Sequence, residues 1–152
     1  MTIDDQREIA QFHDSRDPTT FTVVRDVSRA MVSLYKEQFG RGPETVSTHF
    51  AGSDTIISIL KNSLTPVELS MRGMGEEQRL RDIRSMFQYA TEPKFRAAVE
   101  EATGRRVIGF MSGTDIEHDI SCEVFTLEST AVTTDGRPPS PDVQQPAAAP
   151  PG

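Results

Sequence analysis

The spacing of apolar residues along the middle of the chain switches between two periods, and that switching restricts the folds open to it. From Phe21 to Phe39, Val23, Val24, Val27, Ala30, Met31, Leu34 and Phe39 fall on one stripe of a 3.6-residue repeat, an amphipathic helix. Thr19 or Thr20 is placed to cap its start. Gly40-Arg41-Gly42-Pro43 is placed to end it, because glycine takes positive φ freely and proline does not continue a helix. The period then drops to two. Val46, Thr48 and Phe50 alternate on one face, Gly52-Ser53-Asp54 turns the chain, and Thr55 to Leu60 form a more fully apolar run. Two strands so close in sequence predict an antiparallel hairpin.

Helical signals return at Leu64-Thr65-Pro66-Val67-Glu68. Thr65 is the N-cap, Pro66 fits the first helical position and Glu68 completes a capping box. This short helix runs to about Gly73. A longer helical pattern starts near Glu76 with Leu80, Ile83, Met86, Phe87 and Ala90 on one face, and Phe95, Ala98, Val99 and Ala102 continue it beyond Pro93. Proline lacks the backbone donor, so a kink or short break is expected at Pro93. Gly104 is the expected C-cap. Two more strands, Val107 to Met111 and Ile120 to Leu127, close the pattern across a connection of about eight residues. Ile120, Cys122 and Val124 point one way, and Glu123, Phe125 and Leu127 the other. Cys122 is expected to behave as a small buried hydrophobe. The order α-β-β-α-α-β-β predicts an α+β fold, a four-stranded, mainly antiparallel sheet with the helices packed on one face. The other face then needs cover, from polar residues or from a second copy, which makes a homodimer the expected assembly.

Composition sets the limits of this domain. Residues 1–18 carry five acids and two arginines with few large apolar side chains, and read as an acidic mobile arm. Residues 129–152, rich in Pro, Ala, Ser and Thr, have almost nothing to bury and read as a disordered tail. Residues 19–128 remain as a single domain with one modest core. The formal net charge of −7 argues against non-specific binding to nucleic acid or to anionic lipid, which reward a positive surface. One cysteine gives no intramolecular disulfide. The acidic N-terminus lacks the apolar core of a signal peptide, and no window approaches the roughly 20 apolar residues of a membrane span. A cytoplasmic protein without direct membrane insertion is expected.

The stretch Ser-Gly-Thr-Asp-Ile-Glu-His-Asp-Ile-Ser at 112–121 gathers Asp115, Glu117, His118 and Asp119. It lies where a hairpin must reverse, and turns favour Gly, Asp and Ser for backbone reasons. A solvated turn is therefore expected, with no catalytic residue, metal or cofactor assigned. Arginines at 72, 79, 81, 84, 96, 105 and 106 mostly alternate with acids as a solvated helix face does. Arg105 and Arg106 stand together where a helix gives way to a strand, a place where an anion or a partner carboxylate could dock. His49, on a strand face with Ser47 and Ala51, is the remaining candidate contact.

Three segments together resemble the MpsC-like domain family: Gly40 to Glu68, Arg81 to Ser112, and Asp119 to Glu128. The elements that carry the resemblance are Gly-Arg-Gly-Pro after the first helix, Leu-Thr-Pro at the next helix start, Thr-Gly-Arg-Arg before the third strand and Glu-Val-Phe in the last. The chain departs from the family pattern at Ser112-Gly113, where that pattern has Ser-Asp, so no acid at position 113 carries over. The resemblance implies a small domain tied to a sodium-translocating, membrane-potential-generating system linked to bicarbonate supply, and it implies no catalytic residues. The expected role is a non-enzymatic accessory or regulatory domain that acts by contact with itself and with a membrane transport protein. A second reading is a small-anion sensor or enzyme that uses Arg105, Arg106 and His49. Nucleic-acid binding fits worst, for the strands carry no exposed aromatic pair for base stacking.

Overall fold

The structure, a computed structural model, describes residues 18–130. The rest of the expected arm and tail lie outside the described residues.

Helix α1 (Pro18–Phe39) starts ahead of its apolar stripe. Pro18 occupies the first helical position, where a missing N–H costs nothing. Thr19 and Thr20 therefore sit inside the first turn, and neither is the N-cap expected from the sequence. Val27, Met31 and Tyr35 are its buried face, and Gly40 leaves the helix with φ of 75°. Strands β1 (Thr45–Phe50) and β2 (Thr55–Lys61) form the expected hairpin. Helix α2 (Pro66–Gly73) begins with the predicted capping box, in which Thr65 Oγ1 accepts from Glu68 N and Glu68 Oε1 accepts from Thr65 N.

The long helical pattern is two helices, α3 (Glu77–Ala90) and α4 (Glu92–Thr103). The break falls at Thr91, ahead of Pro93, whose ring rides in the first turn of α4 where its missing N–H is harmless. The buried face of α3 is also not the expected apolar stripe. It is Leu80, Arg84 and Gln88, while Met86 and Phe87 are exposed. Gly104 ends α4 in the left-handed region, as expected.

Strand β3 (Val107–Asp115) runs four residues further than its apolar pattern, so the connection to β4 (Ile120–Leu127) shrinks to Ile116–Asp119. The sheet order is β1-β2-β4-β3, antiparallel throughout, with all the helices on one side, as predicted. Helix α1 packs on β1 and α4, and α3 lies against β3.

The register lays the sheet out in rows. On the helix side, Phe50, Ile56, Phe125 and Phe110 form one row, and it meets Tyr35 of α1 and Phe95 of α4. Phe95 stacks on Phe110 at 5.6 Å between centroids, and Phe110 leans on Phe125 at 5.3 Å. The next row, Thr48, Ser58, Glu123 and Ser112, is entirely polar although it faces the core. On the opposite side of the sheet the rows are His49, Ile57, Val124 and Met111, then Ser47, Ile59, Cys122 and Gly113. One polar row thus lies inside, next to an aromatic one, and Ile57, Ile59, Val124 and Met111 lie outside, a departure from the apolar-in, polar-out alternation of an ordinary one-sided antiparallel sheet.

Candidate functional site

The polar row gathers its partners from two helices, α1 and α3. Glu123 is fully buried, and its Oε1 accepts from Tyr35 Oη at 2.6 Å, Gln88 Nε2 at 2.8 Å and Ser112 Oγ at 3.0 Å. Further along the row, Ser28 Oγ donates to Thr48 Oγ1 at 2.8 Å, and Thr48 and Ser58 share a hydroxyl bond of 2.9 Å. Tyr89 closes the outer side, its Oη accepting from Ser112 N at 3.2 Å. Burial pushes the Glu123 carboxyl up to about 7, against the opposing pull of the Tyr35 and Ser112 hydrogen bonds and of the Arg84 charge. Tyr35 stays a neutral donor. Its own burial, followed by the neighbouring Glu123, raises its hydroxyl well above the usual tyrosine value.

Arg84, 1% exposed, lies beside this cluster. Its Nε donates to Glu68 Oε2 at 2.6 Å and its Nη2 to Glu68 Oε1 at 2.7 Å, a bidentate pair. Nη1 reaches Ser63 Oγ at 3.2 Å and Nη2 also reaches Ser63 O at 3.0 Å. The guanidinium carbon sits 3.9 Å above the centre of the Phe39 ring. Burial opposes the ionised form of Glu68, but the hydrogen bonds from Arg84 and Thr65 outweigh it and hold the carboxyl below its ordinary value. Arg84 thus corrects the expectation of a solvated arginine face, because the fold buries this member of the run in the core.

The sheet's outer face is the second candidate surface. Ile57, Ile59, Ile120, Cys122 and Val124 are half-buried, while Met111 is 61% and Ile108 54% exposed at the β3 edge. Among the described residues, no helix packs on this side. Cys122 lies here, not in the core where the sequence placed it, and burial, then the nearby Glu123, raises its thiol above the ordinary value.

The candidates named from sequence take other positions. Arg105 is committed within the chain. Its Nη1 donates to Ser53 O at 2.7 Å, and its Nη2 to Asp54 Oδ1 at 2.6 Å and Glu128 O at 2.7 Å. It ties the β1–β2 turn to the end of β4, and that same guanidinium holds the Asp54 carboxyl below its usual range. Arg106 is exposed, and His49 is exposed on β1 beside Ser47. The contacts of the three residues do not join them into one site.

In the 112–121 stretch the turn is as expected but only half of it is solvated. Asp115 and His118 pair at the surface at 2.8 Å, which lowers the aspartate and raises the histidine. Ile116 and Asp119 are buried. Ile116 packs against Leu64 and Leu80. Asp119, at φ of 51°, accepts Ser63 N at 2.9 Å and Leu64 N at 3.1 Å with its carboxylate and Asn62 N with its carbonyl. The turn is therefore a pin that fastens the β3–β4 hairpin to the strand-to-helix link before α2.

Sequence reasoning missed Glu123, Gln88, Tyr35 and Arg84 as one cluster. Its one visible signal was an acid at a core-facing strand position, two residues before Phe125.

A model of the family described as "Na+-translocating membrane potential-generating system (MpsC)" matches residues 19–129. No curated protein and no solved structure matches the chain.

Proposed function

The chain belongs to the MpsC family, and from that membership and the uncovered sheet face we propose a non-enzymatic accessory or regulatory domain that works by protein–protein contact. The observation that carries this reading is the outer face with Ile57, Ile59, Val124 and Met111. A contiguous apolar surface of this kind in water marks a contact site. Its first occupant is a second copy of the chain, which would bury the same rows against each other in an isologous dimer. Among the described residues no helix is long and apolar enough to cross a membrane. The domain would serve a membrane-potential, sodium or bicarbonate transport system from the cytoplasmic side, docked on a membrane transport protein.

The test is the solution mass of the full chain by light scattering, for the wild type and for Val124→Asp and Met111→Asp. The expected result is a wild-type mass of two 16.8 kDa chains, reduced to one chain in both variants with the circular dichroism unchanged. A crosslinked pull-down from native membranes then looks for the transport protein. Its recovery with the wild type and loss with Val124→Asp supports the docking role. A monomeric wild type that recovers no transport protein overturns it.

A further inference from the structure

Among the described residues three buried side-chain oxygens have no hydrogen-bond donor, Gln38 Oε1 on α1 and, together in the core, Glu123 Oε2 and Gln88 Oε1. The latter two belong to the same pair of side chains, already joined by the bond from Gln88 Nε2 to Glu123 Oε1 at 2.8 Å. An ionised carboxylate only accepts, and so does an amide oxygen. Turning the Gln88 amide over offers no escape, because its oxygen would then face Glu123 Oε1 where the N–H now donates. One hydrogen on Oε2 supplies the donor both oxygens lack.

The surrounding charges point the same way. From α1, Tyr35 is a neutral donor to Oε1. From β3, Ser112 is another, from β2 comes the hydroxyl of Ser58, and from β4 itself the hydroxyl of Ser121 in the adjacent row. From α3 comes Arg84, among the described residues the one buried cation nearby, but both carboxylate oxygens of Glu68 on α2 already hold it. The buried group Arg84, Glu68 and Glu123 is electrically neutral only when Glu123 is an acid. Burying an unmatched charge is costly enough that such a group takes up a proton instead.

We propose that Glu123 is a proton-binding site: its Oε2 takes a proton from solvent and donates it to Gln88 Oε1, closing a two-bond acid–amide ring between β4 and α3. Loss of that proton leaves two unpaired oxygens facing across the ring. Gln88 must then turn away, and α3, which also holds β3 through Tyr89 Oη and Ser112 N, loosens from the sheet. The site does not depend on what covers the outer face.

The experiment is a titration of the carboxyl carbons of the full chain by NMR with ¹³C-labelled glutamate, in sodium chloride and again in choline chloride. The Glu123 signal is assigned through the bonds of its own side chain, so the wild type alone decides the outcome. It is expected to titrate near neutral pH, well apart from the exposed glutamates, and identically in both salts. In Glu123→Gln, whose amide supplies a permanent donor, the Gln88 side-chain amide signals should lose their pH dependence over the same range. A Glu123 carboxyl that titrates together with the exposed glutamates overturns the proposal. A midpoint that falls in sodium but not in choline also overturns it, because a metal cation would then occupy the place given to the proton.

Discussion

Replacing Glu123 by glutamine should change how stability depends on pH, by an amount that follows from the carboxyl's surroundings. The side chain is fully buried and its acid is raised from 4.5 to about 7. The folded state therefore binds a proton that the unfolded chain has released, throughout the interval between those values. Stability from this group is fully present below the unfolded pKa and is lost as pH rises through the folded one. The whole contribution is about 3 kcal/mol, at roughly 1.4 kcal/mol for each tenfold gain in proton affinity on folding. Between about pH 5 and about pH 7.5 the wild type should lose about 2 kcal/mol of it. Other groups slope across neighbouring ranges. His118, raised by its bond to Asp115, also loses stability as pH rises. Glu68, held low by Arg84, gains stability above the unfolded carboxylate range and loses it in acid. Both remain in Glu123→Gln, so subtracting the variant's curve cancels them. The assay is urea unfolding of both proteins at the two pH values, read by far-UV circular dichroism. A wild-type-minus-variant difference that is the same at both pH values would refute the reasoning.

Other residues give independent checks. Arg84→Met strands Glu68 in a largely buried place and should cost about 3–5 kcal/mol, whereas Arg84→Met with Glu68→Gln should recover most of it, measured by urea midpoint. Asp119→Ala removes two backbone-to-carboxylate bonds and places alanine at positive φ, so about 2–3 kcal/mol should be lost, and Asp119→Asn, tolerant of that φ, should lose less. Arg105→Ala should speed amide exchange at Asp54 and Leu127 first, since the arginine ties the β1–β2 turn to the end of β4. An unchanged exchange pattern would remove that structural role.

The architecture was legible because periodicity is a local property. The stripe of α1, the two hairpins, the capping box at Thr65 and the glycine cap at Gly104 each rest on residues within a few positions of one another. The misplaced features depend on distant partners. Glu123 looks like one polar residue in an apolar strand until Tyr35, 88 positions away, and Gln88, 35 positions away, fold onto it. Arg84 hides in a run of exposed arginines, and only the third dimension shows that its carboxylate is the N-cap partner of a different helix. Asp119 reads as solvent-facing because turns usually are, yet its backbone partners Ser63 and Leu64 are 55–56 residues away. Pro93 drew the expected break towards itself, although a proline in the first turn of a helix disrupts nothing.

The two faces of the sheet carry opposite costs, and they can be separated by mutation. Inside, Ser28, Tyr35, Gln88 and Ser112 pair most of the polar row and the proton proposed on Glu123 pairs the rest, so an apolar replacement there must also deal with the partners left behind. Outside, Ile57 and Val124 are directly paired across β2 and β4 and rest against neighbours on their own face. If a second molecule is their true cover, Ile57→Thr with Val124→Thr should leave the isolated domain's unfolding free energy within about 0.5 kcal/mol, as substitutions at a solvated, β-compatible position do. The same pair should abolish association in light scattering. Loss of several kcal/mol from the monomer, read from denaturation at concentrations too low for dimers, would mean that the chain buries this face by itself. The contact reading would then fail, while the proton site behind it would stand untouched, because threonine outside leaves the Glu123–Gln88 pair where it is.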